Sequence, residues 1–193
     1  MASAITARFT PTAQRYGDAW NLGNKAYDGN LETYASSSVG ASHPGAFTLD
    51  LSSIPAGSVI TKVTYRYTLY RTDNASYCAL RGAMGYADAG TSGSSGTHRV
   101  TDWQDIPLTG YKSTEQTATE QAISPAQSAQ ILSGGTPLLY AVIQNNHRVY
   151  EIGVDITYEP AASNLYVGDK KASAVYVGDK KATAVYLGTK RIL

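Results

Sequence analysis

Cysteine is nearly missing from this chain. Cys78 stands alone among 193 residues, so no intramolecular disulfide can form and stability must come from burial or assembly. Its apolar flanks predict a small core residue. Long apolar runs are missing too. None approaches the roughly 20 residues of a membrane-crossing helix, so no membrane partner is expected. Charged residues make up only 16% of the chain, with a net charge of +1. That near balance argues against a globally basic nucleic-acid binder. The opening MASAITARFT has no basic stretch followed by an apolar one, which predicts a soluble protein made in a cytoplasm rather than a secreted one. Phenylalanine is scarce at two residues, against fifteen tyrosines. Tyrosine suits half-buried sheet faces and interfaces, where its hydroxyl stays wet.

Chemical motifs are equally thin. His43, His98 and His147 have no histidine or cysteine near them at metal-ligand spacing, which makes a zinc site unexpected. No G-x-S-x-G, H-E-x-x-H or phosphate-binding loop occurs. His98, Asp102 and Asp105 lie close in sequence but lack a nucleophile, and loop hydrogen bonds are the expectation for them. Asp102, Asp105, Glu115 and Glu120 would serve as acid and base of a glycosidase if two of them faced each other across a groove. Their spacing gives no such cleft. The chain is therefore not expected to be an enzyme, and no catalytic residue or cofactor is assigned.

Two weaker binding candidates remain. Asp28 and Asn30, with Glu32, are oxygen donors suited to calcium. The competing reading is an Asx turn, in which Asp28 bonds its own backbone. Trp20, Trp103 and Tyr111 fall in loop-like segments. They would either stack a host surface glycan or plug the end of a sandwich.

What the chain does have is strand pattern. Phe47, Leu49 and Leu51 alternate with polar residues. Val59, Thr61, Val63, Tyr65, Tyr67 and Leu69 share one predicted face, with Lys62, Thr64, Arg66 and Thr68 opposite. Tyr150, Ile152, Val154, Ile156 and Tyr158 repeat the pattern, with Glu151, Asp155 and Glu159 on the wet side. Leu138 to Ile143 is continuously apolar and predicts a central strand, and Cys78 to Met84 predicts a shorter one. One helix is signalled: Ser124 as cap, Pro125 at its first position, Gly134-Gly135 as its stop. Its expected length is about two turns. The prediction is an all-β jelly-roll sandwich with one short helix over residues 1–160. The excursion from Gly85 to Trp103 is expected to be a crossover between sheets. The linker Pro160 to Ser163 would separate this domain from a small β-hairpin element at 161–193.

That element repeats every ten residues: NLYVGDKKAS, AVYVGDKKAT, AVYLGTKRIL. Tyr166, Tyr176 and Tyr186 fall in register, as do Gly168, Gly178 and Gly188. The pattern predicts strand pairs in a meander, turning at Gly168-Asp169 and Gly178-Asp179, where Gly favours a type II′ turn. An even period keeps each position on one face. Val175, Val177, Val185 and Leu187 then share a face, and Tyr176 with Tyr186 takes the other. Such small units are marginal alone, so Tyr166, Val167 and their counterparts are expected to bury against partner subunits or against their own domain. The last thirty residues carry +4, leaving −3 on the rest. Six basic residues there suit either an acidic partner or strand edges guarded by lysine.

Two resemblances add to this. The YVGDKK and YLGTK units resemble C-terminal repeats of head and minor tail proteins from bacteriophages of Actinobacteria. The segment NKAYDGNLETY (24–34) is similar to the A-[FY]-DG-[ND]-xx-T signature of discoidin-like, galactose-binding-like jelly rolls, matching at Ala26, Tyr27, Asp28, Gly29, Asn30 and Thr33. Tyr34 stands where that family usually has tryptophan. The resemblances imply a virion structural protein: first a capsid decoration or minor capsid protein, trimeric by analogy and contacting the major capsid protein. The alternatives are a minor tail protein among tail proteins, a carbohydrate-binding recognition module, and, least favoured, a glycosidase.

Overall fold

A computed structural model describes residues 3–17, 20–37, 43–71, 80–106, 114–143 and 147–161, with six dipeptide strands beyond them. The first strands are β1 (Ile5–Phe9), β2 (Pro11–Tyr16), β3 (Trp20–Asn21), β4 (Ala35–Ser37), β5 (His43–Leu49) and β6 (Val59–Arg71). Then come β7 (Leu80–Ala87), β8 (Thr97–Arg99), β9 (Gln104–Ile106), β10 (Thr114–Thr117) and β11 (Gln121–Ala122). Helix α1 (Pro125–Ser133) precedes β12 (Thr136–Ile143) and β13 (His147–Glu159).

These strands make two antiparallel sheets. In one, β10 and β11 pair with β6, β6 with β13, and β13 with β1 and β4. In the other the order is β2-β5-β12-β7, with β8 and β9 both on the free edge of β7. Consecutive strands from β4 to β7 alternate between the sheets, and the two late strands β12 and β13 each insert at the centre of one. This is jelly-roll topology, two Greek keys folded face to face. At Thr10 the chain leaves β1 in the first sheet and enters β2 in the second.

The core lies between the sheets. Phe47, Leu49, Val63, Tyr65, Tyr67, Met84, Leu139, Ala141, Ile143, Ile152, Val154 and Ile156 are all buried there. Tyr65 and Tyr67 keep their hydroxyls satisfied at this depth. Tyr65 meets Thr101 Oγ1 at 3.0 Å, and Tyr67 donates to the Arg81 carbonyl at 2.9 Å.

The predicted facing of the two long strands holds in their middles and fails at one end of each. Ile60 is fully buried while Val59 is 37% exposed. The register explains this: Thr157 faces Lys62 but Tyr158 faces Ile60, so Thr61 is an extra residue in a bulge. Likewise Val149 faces Leu69 and Glu151 faces Thr68, so Tyr150 is the extra residue and Val149 takes the core position. Tyr150 instead packs edge-on against Tyr34.

The 85–103 excursion also differs from expectation. It is no crossover. β7 turns through a loop at 88–96 and returns as β8 beside itself, pairing Tyr86 with His98. Gly90, Gly93 and Gly96 all take left-handed conformations, which lets the loop fold compactly. Arg15 holds it from the far edge of the sheet, donating to the Gly93 carbonyl at 3.0 Å and to Thr91 Oγ1 at 2.6 Å. The loop thus lies across the outer face of that sheet, and a second apolar cluster forms around Ala46, Ala83, Ala87, Leu138 and Tyr140. β12 is apolar on both faces because both are covered.

Helix α1 has the predicted ends and runs two and a half turns. Ser124 and Gln127 form a reciprocal capping box. Gly134 donates back to the Gln130 carbonyl. Ser128, buried on this helix, accepts from the Ile60 amide at 2.8 Å and so ties α1 to the bulged start of β6.

Beyond Glu159 three antiparallel pairs follow: β14 (Tyr166–Val167) with β15 (Lys170–Lys171), β16 (Tyr176–Val177) with β17 (Lys180–Lys181), and β18 (Tyr186–Leu187) with β19 (Lys190–Arg191). Tyr166 faces Lys171, Tyr176 faces Lys181 and Tyr186 faces Arg191. Each pair is a separate two-stranded sheet, and among the described residues no pairing joins one to the next. The residues between paired strands, Gly168, Asp169, Gly178 and Asp179, lie outside the described residues, as do Val175, Val185, Cys78 and Tyr111.

Candidate functional site

The outer face of the first sheet carries a groove of about 380 Å³. Arg8 on β1, Arg66 on β6 and Glu115 on β10 wall it, joined by Asp155 on β13 in a line of alternating charge across four strands. Arg8 lies directly opposite Asp155 in the ladder. It donates through Nε to Asp155 at 3.1 Å and through both terminal nitrogens to Glu115 at 2.9 and 3.2 Å. Arg66 donates to Asp155 at 2.5 Å and to Glu115 at 2.6 Å. Charge-assisted forks of this kind fix geometry as well as add attraction. The Asp155 contact, followed by Glu115, holds the Arg66 guanidinium even more firmly protonated than usual against its partial burial.

The floor and far wall come from β13 and the 28–31 loop. Gly153 lies opposite Arg66, and a β-carbon there would come within 3.2 Å of the Phe9 carbonyl oxygen. Glu151 also lines the groove. Burial pushes its carboxyl above the ordinary range, and the like charge of Asp28 pushes the same way, against a hydrogen bond from the Gly29 backbone. Its Oε1 is buried with no hydrogen-bond partner among the described residues. The guanidiniums of the wall are spent on Glu115 and Asp155, so the charge of Glu151 is not balanced by them.

The 28–33 loop is an Asx turn rather than an open oxygen cage. Asp28 Oδ1 accepts from the Asn30 amide at 3.0 Å, and Asn30 Oδ1 accepts from the Glu32 amide at 3.0 Å. Asp28 Oδ2 accepts from Thr33 Oγ1 at 2.7 Å and from Lys25 Nζ at 3.2 Å. The Thr33 bond, with those from Asn30 and Lys25, holds the Asp28 carboxyl below its ordinary range. The side-chain oxygens of Asp28 and Asn30 are thereby engaged by the protein itself. Among the described residues no group of three or more histidine, cysteine, aspartate or glutamate side chains is placed to share a metal.

Of the three named aromatics, the two described ones, Trp20 and Trp103, lie apart. Trp20 is 4% exposed, in the core, edge-on to Phe47 at 5.0 Å. It plugs the sandwich and offers no ring face to a ligand. Trp103 is half-buried on the opposite side of the second sheet, edge-on to Tyr140 at 6.3 Å with the Arg99 guanidinium 5.0 Å over its ring. The loop carboxylates scatter as well. His98 bonds Asp88 and stacks on Tyr86. Asp105 pairs with Arg81, and Glu120 with Lys62. Only Glu115 of the four named carboxylates reaches the groove. Glu151 and Asp155 were legible as wet-face residues of their strand, but nothing in the sequence marked Arg8 as the partner of Asp155 and Glu115.

No protein-family model matches the chain, and no curated protein is similar to it in sequence. The class that the fold defines is an all-β jelly-roll sandwich.

Proposed function

We propose that this chain is a structural protein of a bacteriophage particle, with the jelly roll as its body and the repeated tail as its attachment element. The observation that carries this is the state of the tail strands. Three hairpin-like pairs repeat the same register, and each pairs only within itself among the described residues. Two strands alone are marginal in water. Three such units in tandem gain stability by adding to neighbouring surfaces, and linked weak contacts reinforce one another strongly. The sandwich has its own complete core and does not need them.

Capsid decoration as a trimer on the major capsid protein is the first placement, by the repeat resemblance and the short single body. Minor tail protein is the second. Glycan recognition has less support, because Trp20 is in the core and Trp103 is packed under Arg99. Hydrolysis has none from the loop carboxylates, which are scattered over different ion pairs.

The test is deletion of residues 164–193. The truncated chain should keep its β circular dichroism and a cooperative melt, yet be monomeric by light scattering and absent from particles. A truncated chain that still assembles rejects the reading. Locating the chain in the density of imaged particles decides between head and tail.

A further inference from the structure

We propose that residues 88–96 form a strap, latched by Arg15, that opens as a unit to expose a second apolar face of the sandwich.

The strap crosses a sheet and is bonded mainly within itself. Arg15 is on β2 and the strap springs from β7, three strands away in the order β2-β5-β12-β7. That distance is roughly 14 Å at the usual strand spacing, so loop and side chain between them bridge β5 and β12. The base is closed by the Asp88 amide, which donates to the Gly96 carbonyl at 2.9 Å. Inside, Thr91 Oγ1 donates to the Asp88 carbonyl at 2.7 Å and the Ser95 amide to the Ser92 carbonyl at 3.2 Å. A loop closed at its ends and bonded within itself is a compact unit.

Arg15 holds it shut. The guanidinium donates to the Gly93 carbonyl at 3.0 Å, to Thr91 Oγ1 at 2.6 Å and to the Ser95 carbonyl at 3.3 Å. All three acceptors are neutral, and among the described residues no carboxylate pairs with Arg15. Arg8 and Arg66, by contrast, are each forked onto two carboxylates. Neutral acceptors make the weaker bonds. The strap adds little apolar contact of its own. Asp88 to Gly96 reads DAGTSGSSG, and no atom lies within 4 Å of where a β-carbon would sit on Gly90 or Gly93. Segments with few apolar contacts and exposed hydrogen bonds open locally at low cost.

What lies beneath gives the opening a consequence. Ala46, Ala83, Ala87 and Leu138 are fully buried although they are on the outer side of their sheet. Tyr140 among them is 4% exposed, and its hydroxyl has no hydrogen-bond partner among the described residues. Thr97 beside it donates to the Ser94 carbonyl at 2.9 Å. A buried hydroxyl left unbonded costs free energy in the closed state, and opening returns it to water. The inner core, on the other side of the sheet, is complete without the strap.

Hydroxyl-radical footprinting of the full-length chain reads side-chain exposure directly. Arg15→Ala should raise labelling of Tyr140 and Leu138 about tenfold, the population shift that follows from losing hydrogen bonds of a charged donor. Tyr65 and Tyr67 of the inner core should stay unlabelled. In the unaltered chain, warmed toward its melting transition, Tyr140 should become labelled before Tyr65. Unchanged Tyr140 labelling in Arg15→Ala overturns the proposal. So does a rise shared with Tyr65 and Tyr67, which means that the whole sandwich has loosened. Should Arg15→Ala fail to fold, the warming series decides alone, and Tyr140 and Tyr65 becoming exposed at one temperature overturns the strap.

Discussion

Gly82 lies face to face with Tyr65 across the sandwich: a β-carbon on Gly82 would sit 2.4 Å from the Tyr65 Cγ. The two residues belong to β7 and β6 in opposite sheets. The missing side chain of one makes the space for the buried ring of the other. Gly82→Ala should therefore force the sheets or the ring to shift, at roughly 1–3 kcal/mol. Thermal melts should show a drop on the order of 2–4 °C per kcal/mol for a chain of this size. An unchanged melt would mean that the sheets yield more easily than this packing implies.

Ser128 gives a second test of how the elements are tied. Its hydroxyl accepts from the buried Ile60 amide beside the bulge at Thr61. Ser128→Ala leaves a buried amide unsatisfied and should cost about 1–3 kcal/mol. Denaturant unfolding should show a lower midpoint at unchanged slope.

The charge line on the first sheet should behave as a unit. Arg8 and Glu115 are each more than a third exposed, and single surface pairs contribute about 0.2–1 kcal/mol. Arg8→Ala and Glu115→Ala are each expected in that range. The double variant should cost less than the sum, because each single change leaves the other partner unbalanced. A double-mutant cycle at low and high salt measures the coupling, which should shrink with salt.

Two carboxylates by the groove should pull stability in opposite directions with pH. Glu151 has a raised pKa in the fold. Its contribution is therefore full below the ordinary glutamate value, about 4.3, and lost as pH rises through the raised one. Glu151→Gln should match wild type in acid and melt higher at neutral pH. Asp28 has a lowered pKa. Its contribution is full above the ordinary aspartate value, about 3.9, and lost as pH falls through the lowered one. Asp28→Ala should melt lower at neutral pH and converge with wild type in strong acid. Melting curves across pH 2 to 8 check both signs.

The particular residues show where sequence reading works. The short helix was legible because its ends are local chemistry: Ser124, Pro125 and Gly134 act within a few residues of themselves. The all-β character was legible because alternation is a period of two along one strand. Val63, Tyr65, Tyr67, Ile152, Val154 and Ile156 face inward as that period requires.

Tertiary structure decided the rest. The bulges at Thr61 and Tyr150 are offsets between two strands, and one strand's pattern cannot reveal a count against its partner. Trp20 became core because β3 and β5 meet, placing its ring on Phe47. The groove joins Arg8, Arg66, Glu115 and Glu151 from positions up to 143 residues apart. The sequence by itself determined strands, helix and a repeating tail, since these follow from neighbours along the chain. The partner of each side chain across the sheets was left to the fold, because antiparallel pairing brings together residues that no sequence spacing connects.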